Sequence, residues 1–310
     1  MKKILTVMLA FILLAIIVGC KVEKDDDKLT IITSNFPSYD FARAITKDVP
    51  KTSVEMLLKP GTEMHDYEPS PKDIIKISKA DIFIYVGGES DEWIDDLLDN
   101  IDTKKVKVVK LMDLVDTVEE ETVEGMEVEE ETDEKEYDEH VWTSPRNAID
   151  IIEALEDIIS KEDEANSSLY RMNSSVYKAK ISDVDEDIRN IVDNSQNKTL
   201  IFADRFPFRY FTDEYGLEYY AAFPGCSDQT EASSKTISFL INKIKENNID
   251  AIYTIEFSNK KIANTISKET GAKIYELNSA HNISKEDFDS GKTYYDIINE
   301  NASVLRESLK

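Results

Sequence analysis

The stretch SVEMLLKPGTEMHDYEPSPKDIIKIS, residues 53–78, predicts a strand, a loop and a helix in succession. Its first six residues indicate a buried strand, and Ser70 followed by Pro71 is typical of the start of an amphipathic helix. His65, one of three histidines, would then follow the carboxyl end of a strand, where open α/β sheets bind ligands. A histidine flanked by acids can bind a divalent cation there, or it can simply cap a surface turn.

Apolar runs and amphipathic helices alternate along most of the chain. Residues 81–88 are a continuous apolar run ending in two glycines, which is typical of a strand buried on both faces. Such alternation predicts βα units and parallel sheets. We expect an α/β fold of two lobes, each a mostly parallel sheet flanked by helices, at residues 29–166 and 196–310. One long rigid helix at 167–195 would join them.

The joining segment contains neither glycine nor proline. Its apolar residues recur at roughly helical spacing and predict a narrow buried stripe made of Leu169, Met172, Val176, Ile181, Val184, Ile188 and Ile191.

The first twenty residues have the form of a lipoprotein signal peptide. Two lysines precede an apolar run that ends in Gly19-Cys20, the small residue and cysteine of a lipobox. The alternative, a transmembrane anchor, requires a longer apolar run. We therefore expect Cys20 to be lipidated, residues 21–28 to be a polar tether, and the protein to lie outside the cytoplasm, anchored to the outer face of the cell membrane.

The net charge of −26 argues against a nucleic-acid partner and fits a cation. The segment 116–139, called here the acidic segment, holds fourteen of the acids and predicts a solvated, mobile loop. With Cys20 lipidated, Cys226 would have no disulfide partner, and it is either a buried small apolar residue or a reactive thiol. We expect a monomer.

The other two histidines repeat the setting of the first. His140 lies in DEHVWTSP, residues 138–145, again before Ser-Pro and a predicted helix, and His281 follows the last predicted strand. The three histidines are thus expected in loops after strands, two in the first lobe and one in the second. If both sheets point their carboxyl ends at one cleft, three imidazoles and one oxygen donor make a tetrahedral site that suits Zn(II).

Two carboxylates are candidates for the oxygen donor. Asp204, at the end of the first strand of the second lobe, is our first choice, and Glu256, at the end of another strand, is the second. Each can instead be an ordinary helix or turn cap. Arg205 can also hold Asp204 in an ion pair, which would lower its value as a ligand.

Three motifs, GTEMHDYEPSPKD, DEHVWTSP and ADRFPFRYFTDEYGL, resemble those of the metal-binding lipoproteins of bacterial zinc and manganese ABC transporters, the cluster A-I (cluster 9) solute-binding family. The resemblance covers nearly the whole mature chain. It implies two α/β lobes joined by one rigid helix, a metal in the cleft, and His65 and His140 as first-lobe ligands. It also relates the acidic segment to a variable, often histidine-rich loop of that family, although no histidine occurs in it here.

The second lobe departs from the family pattern. Arg205 stands where the family usually has a histidine or glutamate ligand, and Asn278 stands where an aspartate often supplies the last one. We interpret Asp204 and His281 as their substitutes.

The predicted function is capture of Zn(II) outside the cell and its delivery to an ABC transporter permease, without enzymatic activity. Mn(II) or Fe(II) uptake is the alternative within the same class, although manganese prefers oxygen donors. An exported zinc hydrolase would need an open coordination position and a general base, and the sequence has no HExxH motif. A surface adhesin would leave the placement of the histidines unexplained.

Overall fold

The computed structural model describes residues 28–62, 67–127, 136–227, 229 and 231–309. The predicted signal peptide with Cys20, nearly all of the tether, and His65 lie outside the described residues. Within the described ranges, no helix combines the length and the apolar character needed to cross a bilayer.

The first sheet has four parallel strands in the order β2-β1-β3-β4. The strands and their connecting helices are β1 (Leu29–Thr33), α1 (Phe36–Ile45), β2 (Thr52–Met56), α2 (Pro71–Lys79), β3 (Ile82–Tyr85), α3 (Trp93–Leu98) and β4 (Lys107–Lys110). Helix α2 begins as the sequence predicts, because Ser70 and Asp73 form a reciprocal capping box with Pro71 at the first helical position.

Two long helices follow the acidic segment. They are α4 (Pro145–Glu162) and α5 (Ser167–Asn194). Ser144 caps α4 by accepting the Asn147 N–H, which again agrees with the predicted Ser-Pro helix start. Helix α5 has 28 residues, so it is about 42 Å long at 1.5 Å per residue.

The first half of α5 buries a different face from the predicted stripe. Leu169, Met172 and Val176 are exposed, whereas Tyr170 and Tyr177 are buried. The two tyrosines occupy the buried face because each also donates a hydrogen bond from its hydroxyl to an aspartate, Tyr170 to Asp163 and Tyr177 to Asp40. The second half follows the prediction, with Ile181, Val184 and Ile188 buried.

The second sheet repeats the first, with four parallel strands in the order β6-β5-β7-β8. Its elements are β5 (Thr199–Arg205), α6 (Arg209–Tyr215), β6 (Glu218–Phe223), α7 (Ser234–Glu246), β7 (Ala251–Thr254), α8 (Lys261–Thr270), β8 (Lys273–Glu276), α9 (Lys285–Ser290) and α10 (Tyr294–Ser308). Two parallel four-stranded sheets flanked by helices, with a long helix between them in the chain, confirm the predicted fold class.

The strand order locates the ligand-binding crevice of each sheet. The chain leaves β1 toward one neighbour and later returns to β3 on the other side, and β5 and β7 are related in the same way. Ligands in open α/β sheets bind at such switch points, outside the carboxyl ends of the strands. Residues after β1, β3, β5 and β7 are therefore the ones that the fold offers to a ligand.

The buried core is continuous between the two sheets. One cluster of buried residues joins the inner side of both sheets to α4, α5 and α10, and it includes Trp142 and Tyr294, both almost fully buried. Smaller clusters lie on the outer side of each sheet. Trp142 Nε1 donates to Ser279 O at 2.8 Å, and Tyr294 Oη donates to Trp142 O at 2.6 Å. These bonds fix the loops that carry His140 and His281 to the same core residue.

Candidate metal centre

His140 lies just before the short helix Val141–Thr143, and its side chain is fully buried. Asp138 Oδ1 accepts the His140 backbone N–H at 2.8 Å and lies 3.1 Å from its Nδ1. A carboxylate at Nδ1 favours the tautomer with the proton there and leaves the lone pair on Nε2, the arrangement usual for metal-binding histidines. Among the described residues, Nε2 is buried without a hydrogen-bond partner. The ring is thus oriented to bind a cation.

The charge on His140 depends on the same contact. Burial lowers the pKa of the imidazole, but the carboxylates of Asp138, Glu139 and Glu120 together outweigh burial and hold that pKa above its usual value. A divalent cation can displace the imidazole proton, because the same carboxylates that stabilise the protonated ring also stabilise a bound cation.

His281 reaches the same place from the loop after β8. Its ring centroid is 5.1 Å from that of His140, and its Nε2 is 3.7 Å from Glu139 Oε1. The structure therefore brings together two histidines that are far apart in the chain. His140 follows an isolated bridge between Glu119 and Tyr137, so the expectation that every histidine loop follows a strand was wrong for this one.

Glu139 is a buried carboxylate that the sequence reasoning did not single out. Its two oxygens accept the N–H and hydroxyl of Ser90, in the loop after β3, at the switch point of the first sheet. A Cβ on Gly88 would lie 2.2 Å from the Glu139 side chain, so this approach requires glycine there. Glu139 is thus held beside both histidines.

Cys226 lies on the loop after β6, close to Glu139 and His140. One ligand atom each from Glu139, His140 and Cys226 lie within 4.8 Å of one another. A Cβ on Gly225 would lie 3.1 Å from Phe206 O and 3.2 Å from His140 Cε1, so the backbone packs closely against the ring. Burial, reinforced by the surrounding carboxylates, raises the pKa of the Cys226 thiol well above its usual value.

The histidine cavity is a space of about 20 Å³ beside the cluster. That volume holds about one water-sized species. Its lining comes from both lobes and consists of Thr62, His140, Arg205, Pro207, Gly225, Ile255, Glu256, Phe257, Ser279, His281 and Asn282.

The two predicted oxygen donors of the second lobe both accept hydrogen bonds from neighbouring residues. Asp204 lines a neighbouring cavity of about 140 Å³ and accepts the Ser258 hydroxyl and the Arg205 N–H. The pairing of β5 shifts register after Phe202, and Arg205, not Asp204, lines the histidine cavity. The structure therefore does not bring Asp204 to the histidines.

Glu256 lines the histidine cavity and supports the His281 loop. Its carboxylate accepts the Ser279 N–H at 2.7 Å, the Ser279 hydroxyl at 2.6 Å and the His281 N–H at 3.3 Å. Burial raises the pKa of this carboxyl, and the hydrogen bonds oppose that rise. Glu256 thereby fixes the backbone from which His281 projects.

The expectation of a solvated loop holds only in part for the described residues of the acidic segment: Asp116, Glu119 and Glu124 are exposed, whereas other carboxylates bond to the second lobe. Glu120 accepts the N–H groups of Gly225 and Cys226 at 3.0 and 3.4 Å, and Glu127 accepts the Ser233 N–H at 2.6 Å. The carboxylates find backbone donors, which composition alone does not reveal.

Further carboxylates surround the cluster. Burial, together with Glu136, Glu139 and Glu120, raises the pKa of Glu89 to about 7. So many carboxylates at short range oppose one another's ionisation, and a bound cation would relieve this repulsion.

The chain is similar to known proteins over most of its length. Residues 31–308 match the family described as zinc-uptake complex component A, periplasmic. The chain is 33% identical over 311 residues to the zinc-binding lipoprotein AdcA of Streptococcus pneumoniae, covering 99% of this chain and 61% of AdcA. It is 34% identical over 290 residues to the high-affinity zinc uptake system protein ZnuA of Bacillus subtilis, covering 91% of this chain and 88% of that one.

Two solved structures share the fold. The Zn(II)-bound ZnuA-like domain of Streptococcus pneumoniae AdcA superposes with a TM-score of 0.75 at 31% identity, over 91% of this chain and 99% of that chain. The metal-dependent lipoprotein YcdH of Bacillus subtilis gives a TM-score of 0.77 at 32% identity with the same coverage. The chain spans 61% of the length of AdcA. These matches confirm the resemblance found in the motifs: the chain belongs to the family of periplasmic zinc-uptake components A.

Proposed function

We propose that this protein is an extracytoplasmic solute-binding lipoprotein that captures Zn(II) between its two lobes and delivers it to an ABC transporter permease. The observation that carries the proposal is the buried Nε2 of His140, which has no partner among the described residues and lies beside His281 and Glu139 at a cavity for one small species. The names of the relatives AdcA and ZnuA support zinc as the cargo.

The proposed ligands are His65, His140 and His281, with Glu139 as the oxygen donor in place of Asp204. Imidazoles and one carboxylate suit zinc better than manganese, which prefers more oxygen donors. His140 and Glu139 would come from the lobe 29–166, and His281 from the lobe 196–310, with the helix 167–195 as the link.

The lobes are tied together close to the site, so we propose that metal loading changes loops rather than opening a wide hinge. Gly61 N donates to Ile283 O at 2.7 Å, and Trp142 bonds to the His281 loop. A permease can distinguish loaded from empty protein only if the metal binds the two loop arrangements unequally.

Zinc titration of the metal-stripped protein against a chromophoric chelator tests the cargo. We expect one Zn(II) per chain, bound more tightly than Mn(II). His140→Ala and His281→Ala should each lower zinc affinity by at least about 100-fold, because even supporting groups cost up to that much. The exposed Asp157→Ala is the matched control.

Three results would change this conclusion. Tighter binding of Mn(II) would make the protein a manganese carrier. Absence of any stoichiometric metal would favour an adhesin, and hydrolysis that depends on bound zinc would favour an enzyme.

The remaining parts of the proposal concern place and partner. We propose that the chain is anchored through lipidated Cys20 on the outer face of the membrane as a monomer, with the permease as its protein partner. Cells lacking the chain should then require more zinc for growth under chelation, and a Cys20→Ser form should be released from the membrane. Retention of that form would argue against the lipid anchor.

A further inference from the structure

The cluster contains a sulfur donor that the proposed zinc site has not used. Cys226 offers one of the three ligand atoms that lie within 4.8 Å of one another, the others belonging to Glu139 and His140. Glu139 and His140 lie on one loop of the first lobe, and Cys226 lies on a loop of the second. A lone cysteine near acids would mean little, but the fully buried His140 also has an Nε2 without a hydrogen-bond partner in the described part of the chain.

The backbone of Cys226 is held at the cluster from two sides. Glu120 Oε1 accepts its N–H at 3.4 Å and that of Gly225 at 3.0 Å, while Gly225 packs against the His140 ring. Glu120 therefore ties the loop after β6 to the loop that carries Glu139 and His140. These contacts fix the backbone from which the thiol projects.

The distances are compatible with a common metal ion. Zinc binds sulfur at about 2.3 Å and imidazole nitrogen or carboxylate oxygen at about 2.0–2.2 Å, so tetrahedral donors lie about 3.5 Å apart. Donors that are now within 4.8 Å must close by about 1 Å or less each, which a side-chain rotation supplies.

We propose that Cys226 and Glu139 bind the captured ion together with His140, so that this site selects thiophilic divalent cations such as Zn(II) and Cd(II). This inference rests on the proposed function. A thiolate and a carboxylate together neutralise a divalent cation, and His281, 3.7 Å from Glu139, is a further proposed ligand, as is His65. Binding releases the thiol proton to solvent as the S–metal bond forms, with no redox step.

This ligand set explains how the second lobe contributes to the metal site although the Asp204 carboxylate does not reach it. Arg205 lines the histidine cavity, and a guanidinium has no lone pair to give a metal. The second lobe would instead supply sulfur from the loop after β6 and nitrogen from the loop after β8. Thiolate ligation disfavours Mn(II), which prefers oxygen donors.

Cobalt(II) is the probe that tests this assignment. The full chain carrying Cys20→Ser has Cys226 as its one thiol, because the sequence has two cysteines. Titration of the metal-stripped protein should produce a near-ultraviolet sulfur-to-cobalt charge-transfer band that saturates at one equivalent, and Zn(II) should abolish it. Cys226→Ser should remove the band and lower Zn(II) and Cd(II) affinity by at least about 100-fold, the upper limit expected for a mere supporting group.

Ser227→Ala changes the next residue of the same loop, keeps the thiol and should keep the band. Stoichiometric cobalt and zinc binding without the band would overturn the sulfur assignment while leaving the proposed zinc capture in place. Failure to bind either metal would overturn both. The band in the parental protein decides the question even if the Cys226→Ser variant does not fold.

Discussion

Replacing Asp138 by asparagine should weaken zinc binding without unfolding the protein. Asp138 Oδ1 lies 2.8 Å from the His140 backbone nitrogen and 3.1 Å from its Nδ1. An asparagine oxygen can still accept the backbone N–H, and the Tyr210 hydroxyl donates to the Asp138 carbonyl in either case. The substitution therefore removes mainly the negative charge that orients the imidazole and increases its basicity.

The expected loss follows from the role of that contact. Partners of metal-binding histidines contribute about 10–100-fold to metal affinity. This corresponds to about 1.4–2.8 kcal/mol, at about 1.4 kcal/mol per factor of ten. Since Asp138 also holds the His140 pKa above its usual value, the imidazole of the metal-free Asp138→Asn variant should titrate at lower pH.

Zinc affinity measured by chelator competition at neutral pH tests the first expectation, and nitrogen NMR of the imidazole ring tests the second. Asp157→Asn, an exposed position on α4, makes the same change in net charge away from the cluster. Wild-type affinity in Asp138→Asn would refute the claim that this carboxylate prepares Nε2 for the metal. An equal loss in Asp157→Asn would show that only the overall charge matters.

Three further outcomes are expected. Trp142→Phe should lower the free energy of unfolding in urea by about 1–3 kcal/mol, because it leaves the buried Ser279 carbonyl without its hydrogen-bond donor. Trp93→Phe is the control: the Trp93 Nε1 is buried without a partner among the described residues, so this change should lose no hydrogen bond. Asp40→Ala should lower the free energy of unfolding by roughly 3–5 kcal/mol. This fully buried carboxylate pairs with Arg43 and accepts hydrogen bonds from the Tyr177 hydroxyl and the Tyr294 N–H, the first of α10. A loss below 1 kcal/mol in urea unfolding would contradict this. Burial and, second, Glu139 raise the pKa of Asp91 from 3.8 to about 7. The metal-free protein should therefore lose stability as the pH rises from about 4 to about 7, by up to about 4 kcal/mol. Asp91→Asn should flatten this pH dependence in urea titrations, and an unchanged pH dependence would exclude Asp91 as its source.

Local sequence signals predicted most of the fold because they depend on near neighbours. Ser70-Pro71 and Ser144-Pro145 fix helix starts through contacts within three residues, and both helices begin there. The strand Ile82–Tyr85 is identifiable from the apolar run 81–88 since both its faces are buried. Signals of this kind survive in almost any tertiary context.

The errors concern contacts between distant residues. Leu169 and Met172 look like core residues by hydrophobicity, yet tyrosines with distant aspartate partners occupy the buried face of α5. Asp204 and Arg205 are adjacent in sequence, and the register shift in β5 decides which one lines the histidine cavity. No single-sequence pattern records that shift.

Glu139 was overlooked for a related reason. It stands next to His140 in a segment so rich in acids that no single carboxylate is distinctive. The signal that could have found it is its position: it is the acid nearest the histidine, and its neighbours Val141 and Trp142 are strongly apolar and buried. A carboxylate carried into such a core needs donors or a cation to remain charged.

The origin of the proposed ligands has a consequence for stability. Of the proposed ligands, His65, Glu139 and His140 belong to the first lobe, whereas His281 and Cys226 belong to the second, so each lobe offers imidazole and one anionic donor. Neither half alone neutralises a divalent cation or completes four ligands. With these proposed ligands the metal would bind only when the loops of both lobes are in place, and its binding free energy would add to their association. At free zinc 1,000-fold above Kd this amounts to about 4 kcal/mol. Because both lobes supply ligands, exchanging one donor for a non-ligand should weaken both metal binding and this coupling between the lobes.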